Sequence, residues 1–419
     1  MAPANATGRV LFASLIGTTI EFFDFYSYAT AAVLVFPQLF FPGSDPTTAI
    51  LQSFATFALA FVARPVGSAL FGHFGDRVGR KATLVAALLT MGVSTVVIGL
   101  LPGYASIGVP APVLLALCRL GQGLGLGGEW GGAVLLATEN APPGKRAWFG
   151  MFPQLGAPLG FFLANGTFLL MSATLDDRAF LSWGWRLPFI GSAVLVAVGL
   201  WIRLRINETP EFQRVIDREQ RVRLPMREVF VRHPRTLLAG TFGSIATFLV
   251  FYLVSVFAMS WGTSRLGYSR EQFLWLEMAA VVCFAGAIPL SAVLARRIGS
   301  RGAMLVATVA IGVYGLVFAP LFVSASPGEA LVFLAIGMTL TGLTYGPIGT
   351  LLAQMFPAAV RYTGSSLCFN LSGILGASVA PYIATWLATR HGLQSVGYYL
   401  SAAALLTLFA LLTVKPEHD

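Results

Sequence analysis

Apolar runs of about twenty residues recur from one end of the chain to the other, and each is parted from the next by a few polar or turn-forming residues. A bilayer core of ~30 Å needs about 20 apolar residues per helical crossing. A water-soluble fold would have to bury each run on every side. With 56% hydrophobic and only 11% charged residues, too little polar surface would remain to cover such a fold. Backbone N–H and C=O groups in lipid must bond within the segment, so these runs are expected to be helices. The chain reads as an all-α integral membrane protein.

Apolar windows predict twelve transmembrane helices. They fall near 11–36, 49–71, 82–101, 111–138, 147–172 and 183–204, then 236–262, 272–295, 303–323, 330–355, 362–388 and 394–413. The run after Arg9 lacks a small-residue cleavage site and is read as a retained span. With the N-terminus inside, the inner segments collect Arg9, Arg77, Arg80, Lys81, Lys145, Arg146, a cluster from Arg203 to Arg235, Arg296, Arg297, Arg301, Arg361 and Lys415. The outer segments hold only Arg178, Arg186, Arg265, Arg270 and Arg390. That bias sets both termini in the cytoplasm, as expected for a multi-pass protein of the inner (plasma) membrane. Trp183, Trp185 and Trp261 are expected at outer ends and Trp148 at an inner one, where indole rings favour the interface.

A charge-rich insert divides the chain into a six-helix bundle at 1–204, a cytoplasmic linker at 205–235 and a second bundle at 236–419. The halves echo each other. Pro142 and Arg146, after the fourth predicted helix, recur as Pro357 and Arg361 after the tenth. The charged stretch Gly72-His-Phe-Gly-Asp76-Arg77-Val-Gly79-Arg80-Lys81 has a degraded partner in which Arg297, Gly299 and Arg301 stand for Arg77, Gly79 and Lys81. Duplicated bundles point to a transporter with its site between the repeats.

These stretches resemble a known family. Gly72-xxx-Asp76-Arg77-x-Gly79-Arg80-Lys81 resembles the loop 2–3 motif of the major facilitator superfamily. Thr19-Ile-Glu21-Phe-Phe-Asp24-Phe-Tyr26, Ala63-Arg64-Pro65, Arg119-Leu-Gly-Gln122-Gly123 with Gly127-Gly128-Glu129-Trp130, Trp183-Gly-Trp185-Arg186 and Phe356-Pro-Ala-Ala-Val-Arg361 are similar to its metabolite:proton symporter family. That family includes carriers of citrate, oxoglutarate, shikimate and proline/betaine. The match covers nearly the whole chain and departs at Arg296 and Gln354. The resemblance implies proton-coupled uptake of a small organic solute, with the 72–81 loop, Arg146 and Arg361 as a cytoplasmic gate. Gly72, Asp76, Arg77, Gly79, Arg80 and Lys81 are the loop's gating residues. Uniport or proton-driven export by the same fold is the alternative.

Ionisable groups inside spans carry the rest of the argument, because each costs several kcal/mol unless paired or wetted. They are Glu21, Asp24, Arg64, Arg119, Glu129 and Glu277. At 1.5 Å per residue, Asp24 and Arg119 reach about the same depth near the midplane, and Arg64 and Glu129 share a level nearer the inside. Arg119 is the expected contact for a solute carboxylate, since its fork stays charged and binds two oxygens at once. Arg64, Tyr26 and Gln122 are the further expected substrate contacts. Glu21, Asp24 and Glu129 are the expected proton carriers, an acid taking up its proton when the solute claims the Arg. The competing reading makes Arg119–Asp24 and Arg64–Glu129 fixed ion pairs. Glu277, near the outer surface, is read as snorkelling or packing.

Enzyme chemistry finds no support. His73, His233, His391 and His418 all lie in loops or the tail, and Cys118, Cys283 and Cys368 have no metal or disulfide spacing. Gly121–Gly128 contains a G-x-G-x-x-G, but it sits inside a span and reads as small-residue helix packing. A channel fits discrete embedded charges poorly. The expected partners are the solute and the bilayer, with no nucleic acid, no metal, no cofactor beyond the coupling proton, and a monomeric working unit.

Overall fold

A computed structural model describes residues 7–43, 45–78, 80–139, 141–142, 145–204, 225–323, 326–357 and 360–414. Among these every regular element is helical. The longer helices of the first half are α1 (Thr7–Leu34), α2 (Pro46–Val78), α3 (Arg80–Leu100), α4 (Pro110–Gly127), α5 (Trp130–Glu139), α6 (Arg146–Thr174) and α7 (Leu187–Leu204). Those of the second half are α8 (Pro234–Phe242), α9 (Ile245–Tyr252), α10 (Ala258–Ser264), α11 (Arg270–Leu316), α12 (Pro327–Gln354), α13 (Arg361–Gly373), α14 (Ala380–His391) and α15 (Leu393–Thr413). Gly79, the side chains of 72–84 and residues 205–224 lie outside the described residues, so the expected gating loop and most of the linker do too.

Helix starts follow local chemistry. Ser269 and Gln272 close a reciprocal capping box at the head of α11, with bonds of 3.1 and 3.0 Å. Pro110, Pro234 and Pro327 open their helices in the first turn, where the missing N–H costs nothing. Ahead of α2, Asp45 accepts the Thr48 side chain and the N–H groups of Thr48 and Thr47, which hold its carboxyl below the usual carboxylate range.

Several predicted spans are interrupted. The fourth breaks at Gly128–Glu129 between α4 and α5. The seventh and eleventh each contain a π turn, Leu253–Phe257 and Ile374–Ser378, the latter beginning just after Gly373 and containing Gly376. The predicted eighth and ninth spans run together as α11, whose forty-seven residues would reach about 70 Å if straight. Gly299 divides them, at φ 77° and ψ 159°, a conformation open to glycine at little cost.

Eight stretches of the described residues are long and apolar enough to cross a bilayer: Pro46–Phe71, Arg146–Thr174, Gly184–Ile202, Pro234–Ser264, Arg270–Leu316, Pro327–Gln354, Arg361–His391 and Leu393–Thr413. α1 and α4 fall outside that set, and these two helices bear Glu21, Asp24 and Arg119. Large apolar side chains such as Val66, Val194, Val282, Leu405 and Phe409 stand exposed on the perimeter, as a lipid-facing surface requires. Trp183 and Trp148 are exposed and Trp261 partly so, as expected for interface rings. Trp185 is fully buried, packed edge-on against Phe36, Phe40 and Phe189. Its ring gains more from that aromatic cluster than from the interface.

α1 packs on α6, α2 on α4, and α3 on α7; α11 packs on α12 and α15. Several packings join the halves, among them α6 against α11 and α12, α2 against α13 with its π turn, and α5 against α13. Small residues set the spacing. A Cβ added at Gly123 would sit 2.2 Å from the Ala60 carbonyl oxygen, and one at Gly127 would sit 2.0 Å from that of Arg64. The glycine-rich run is thus the seat of α2, as its small-residue pattern suggested. Gly156 and Gly160 bring α6 equally close to Thr18 and to Phe22 and Phe23 of α1. Because both sides of the Gly123 contact are backbone, Gly123→Val should force α2 and α4 apart at a cost of about 1–3 kcal/mol or more. A lower melting temperature and less monodisperse protein are the expected result. Unchanged heat stability would mean the helices do not meet there.

Candidate functional site

The buried charges gather where α1, α2 and α4 face α9 and α12. Asp24 and Arg119 are fully buried, and Glu21, Arg64, Gln122 and Glu129 nearly so. The depth arithmetic put Asp24 and Arg119 at one level, and they do communicate, although no ion pair joins them. Arg119 Nη1 donates to Gln122 Oε1 at 2.8 Å, Gln122 Nε2 donates to Thr95 Oγ1 at 2.8 Å, and Thr95 Oγ1 donates to Asp24 Oδ2 at 3.1 Å. The Ser192 hydroxyl donates to the other Asp24 oxygen. Thr95 has a second acceptor, the Met91 carbonyl oxygen at 3.0 Å. Its one hydroxyl proton can therefore serve Asp24 or the backbone, but not both.

Arg119 is held by rings as well as by hydrogen bonds. Its guanidinium carbon lies 4.3 Å from the centre of the Phe25 ring, 4.1 Å from Tyr28 and 4.9 Å from Phe57, while Nε donates to the Phe57 carbonyl at 3.3 Å. Arg64 shares the same Phe25 ring at 4.5 Å and rests on Phe61 at 4.6 Å. Two buried guanidiniums thus sit on one phenyl ring, a placement that cation–π attraction offsets only in part. Among the described residues neither has a carboxylate partner, and no hydrogen bond or ion pair links Arg64 to Glu129. Arg119 Nη2 and Arg64 Nε are buried without a hydrogen-bond partner.

Tyrosines complete the cluster. Tyr26, Tyr252 and Tyr345 lie within electrostatic reach of Arg64, and Tyr252 also within reach of Arg119. The Tyr345 hydroxyl is likewise buried and unpartnered. Tyr26 stacks on Phe22 at 5.5 Å and meets Phe161 and Phe251 at 5.2 and 5.3 Å, so rings from both halves wall the site. Of the expected residues, Arg119, Arg64, Gln122, Tyr26 and Asp24 come together here. Glu21 lies one turn from Asp24 on α1, and Glu129 sits at the α4–α5 break. Thr95, Ser192 and Phe25 were missed. Their signal was faint, a hydroxyl or a ring within an apolar run.

Glu277 corrects the sequence reading. It does not snorkel; the packing alternative holds in a polar form, since it is fully buried and accepts a hydrogen bond from Asn165 Nδ2 at 2.5 Å. Snorkelling needs a side chain long enough to reach water, which a glutamate between α6 and α11 lacks.

The halves also close on each other at the end where α15 finishes. Tyr362 donates its hydroxyl to the Gly128 carbonyl at 2.6 Å, Asn370 donates to Ser68 at 3.0 Å, and Trp130 stacks on Phe369 at 3.7 Å. Arg361, half-buried, turns to the Phe356 carbonyl at 3.3 Å, while Arg146 is exposed at the start of α6.

Residues 10–228 match the family model described as sugar (and other) transporter. An inner membrane metabolite transport protein of Escherichia coli K12, YhjE, is 59% identical over all of this chain and 96% of its own length. The shikimate transporter of the same organism is 35% identical over 97% of this chain and 94% of its own. Its proline/betaine transporter is 32% identical over 97% and 83%. Among solved structures the fold is similar to that of the proton:xylose symporter XylE, with a TM-score of 0.77 and 16% identity over 98% of this chain and 96% of that one. By its family match and its near-full-length relatives, this chain belongs to the sugar (and other) transporter family of the major facilitator superfamily and is a membrane-spanning metabolite transporter rather than an enzyme.

Proposed function

We propose that the chain is a proton-coupled carrier that takes up a small organic carboxylate or zwitterion by alternating access. In this reading twelve spans form two six-helix bundles, 1–204 and 236–419, joined by a cytoplasmic linker at 205–235. Both termini face the cytoplasm of a cell bounded by the inner membrane, so the end closed by Tyr362 and Gly128 is the cytoplasmic one. The observation that carries the substrate class is the pair of buried guanidiniums on Phe25, with Arg119 Nη2 and Arg64 Nε unpartnered. Burying two cations without an anion is costly, and a solute carboxylate supplies the missing charge. Tyr26, Tyr252 and Tyr345 offer hydroxyls for the rest of the solute. The relatives named for shikimate and for proline and betaine also support an organic solute bearing a carboxylate.

Coupling follows from Thr95. When Asp24 is ionised it accepts the Thr95 proton, and Thr95 in turn accepts from Gln122, which holds Arg119. When Asp24 carries a proton it can donate to Thr95, whose own proton then turns to Met91. The state of Asp24 thus reaches Arg119 through two neutral side chains without a fixed ion pair. Glu21, one turn away, and Glu129 are further proton carriers in this scheme, and the 72–81 loop with Arg146 and Arg361 forms the cytoplasmic gate. The working unit is a monomer, with the proton as the sole coupling ion.

Purified protein in liposomes should take up a responsive solute faster under an inside-alkaline gradient, with accumulation that collapses when a protonophore is added. A screen of mono-, di- and tricarboxylates, betaines and cyclic hydroxy acids identifies the solute. Uptake indifferent to the gradient would leave uniport, and efflux driven by inward proton flow would leave export.

A further inference from the structure

At the outer end a cleft of about 850 Å3 separates the halves, lined by Leu34 of α1, Ser172 of α6 and Arg270 of α11 among others. A chain of buried polar groups lies directly beneath it. Thr30 Oγ donates to Asn165 Oδ1 at 2.6 Å, and Asn165 Nδ2 donates to Glu277 at 2.5 Å. Thr30 stands four residues from Leu34, Asn165 seven from Ser172 and Glu277 seven from Arg270. Those spacings keep each member on the cleft-facing side of its helix, about 6–10 Å down. None of the three lines the cleft; they make the buried layer one to two turns beneath its lining, the floor in that sense, and the Asn165–Glu277 bond is the member that crosses between halves.

Glu277 has no compensation for a charge in this place. It is fully buried, Oε1 has no partner, and among the described residues no cation lies within ion-pair distance. The titratable and charged groups around it are few. On its own helix Arg270 and Glu271 stand two turns outward, Cys283 lies inward, Arg296, Arg297 and Arg301 stand at the far inner end around Gly299, and Tyr314 lies on the limb that returns beyond it. α12 brings Glu329 at its outer end and Tyr345, α1 brings Glu21, Asp24, Tyr26 and Tyr28 with Arg9 at its far end, and α9 brings Tyr252. α15 brings Tyr398 and Tyr399, α10 brings none, and α6 brings none beyond Arg146 at its cytoplasmic start. At the rim, Asp177 and Arg270 pair across the halves at 2.6 Å, but Asp177 is 88% exposed, so solvent screens that contact. Closure at the floor therefore depends on the buried bond.

We propose that Glu277 is the protonation-dependent fastener of the outer gate: protonated, it seals against Asn165; deprotonated, it holds the floor of the cleft open. The proton comes from water in the opened cleft and sits on the carboxyl while Oε2 accepts the Asn165 N–H. A neutral acid can be enclosed here, whereas a carboxylate keeps its water and with it the gap between α6 and α11. The idea rests on the alternating-access part of the proposed function but not on Asp24 as coupling proton carrier.

The test reads the gate without solute or gradient. Spin labels at Gln38→Cys and Ser264→Cys, exposed positions on opposite lips, are placed in the full chain with Cys118, Cys283 and Cys368 replaced by Ala. In lipid nanodiscs the longer inter-lip distance should grow as pH rises. Glu277→Gln should keep the short distance at every pH, losing the shift. Asn165→Ala, which leaves the carboxyl in place, should show the long distance already in acid. A pH-independent distance in the parent, or a Glu277→Gln variant that still responds as the parent does, overturns the proposal. Because transport is not measured, a failed symport assay and a failed gate remain distinguishable.

Discussion

Replacing Arg119 with Gln or Lys is expected to abolish solute uptake while leaving the protein folded. Arg119 uses its fork in three directions: Nη1 to Gln122, Nε to the Phe57 carbonyl and Nη2 toward no protein partner. Lys has a single ammonium that cannot reproduce that geometry, and Gln has no charge to offer a carboxylate. Losing a desolvated charge contact costs about 3 kcal/mol, which is on the order of 100-fold in solute affinity. Stability should move the other way or not at all. A buried guanidinium without a carboxylate partner is a burden to the fold, and a neutral side chain relieves it. The measurement is solute binding and uptake alongside a thermal melt. Near-parental uptake by either variant would remove Arg119 from the site, and collapse of the melt would make it a structural residue.

Asp24→Asn should separate exchange from accumulation. Asn cannot lose a proton, so the site would be held in one state of the Thr95 relay. Counterflow of labelled solute between equal internal and external pools should persist, because it needs only reorientation of the loaded carrier. Accumulation driven by a proton gradient should fall to the level of equilibration. Thr95→Val should give an intermediate result, since it removes the hydroxyl that links Asp24 to Gln122 and Arg119 but leaves Ser192 on the carboxyl. If the Asn variant still concentrates solute in response to the gradient, coupling lies elsewhere, with Glu21 or Glu129 the next residues to test.

The residues of the site were largely visible in the linear chain, but their connections were not. Charge inside an apolar run is conspicuous, so Asp24, Arg64 and Arg119 stood out, and rise per residue sufficed to set Asp24 and Arg119 at one depth. Depth arithmetic has no azimuth. It could not tell that Gln122 and Thr95 lie between the two, nor that Arg64 turns to Phe25 and Phe61 and not to Glu129. Glu277 was undervalued for the same reason. Its distance from the outer surface was readable, but the Asn165 facing it belongs to another helix 112 residues away.

Helix formation in lipid and the spacing of apolar runs are local properties, which is why sequence alone determined the helical membrane class and the helical course of the chain. The glycines of α4 are similarly legible as a packing face, although only assembly shows that Ala60 and Arg64 fill it. Tertiary structure decided the breaks within helices, the burial of Trp185, the sharing of one phenyl ring by two guanidiniums, and the bond between Asn165 and Glu277. Each of these depends on which faces of separate helices meet, and that is set by packing between distant segments rather than by the order of residues in any one of them.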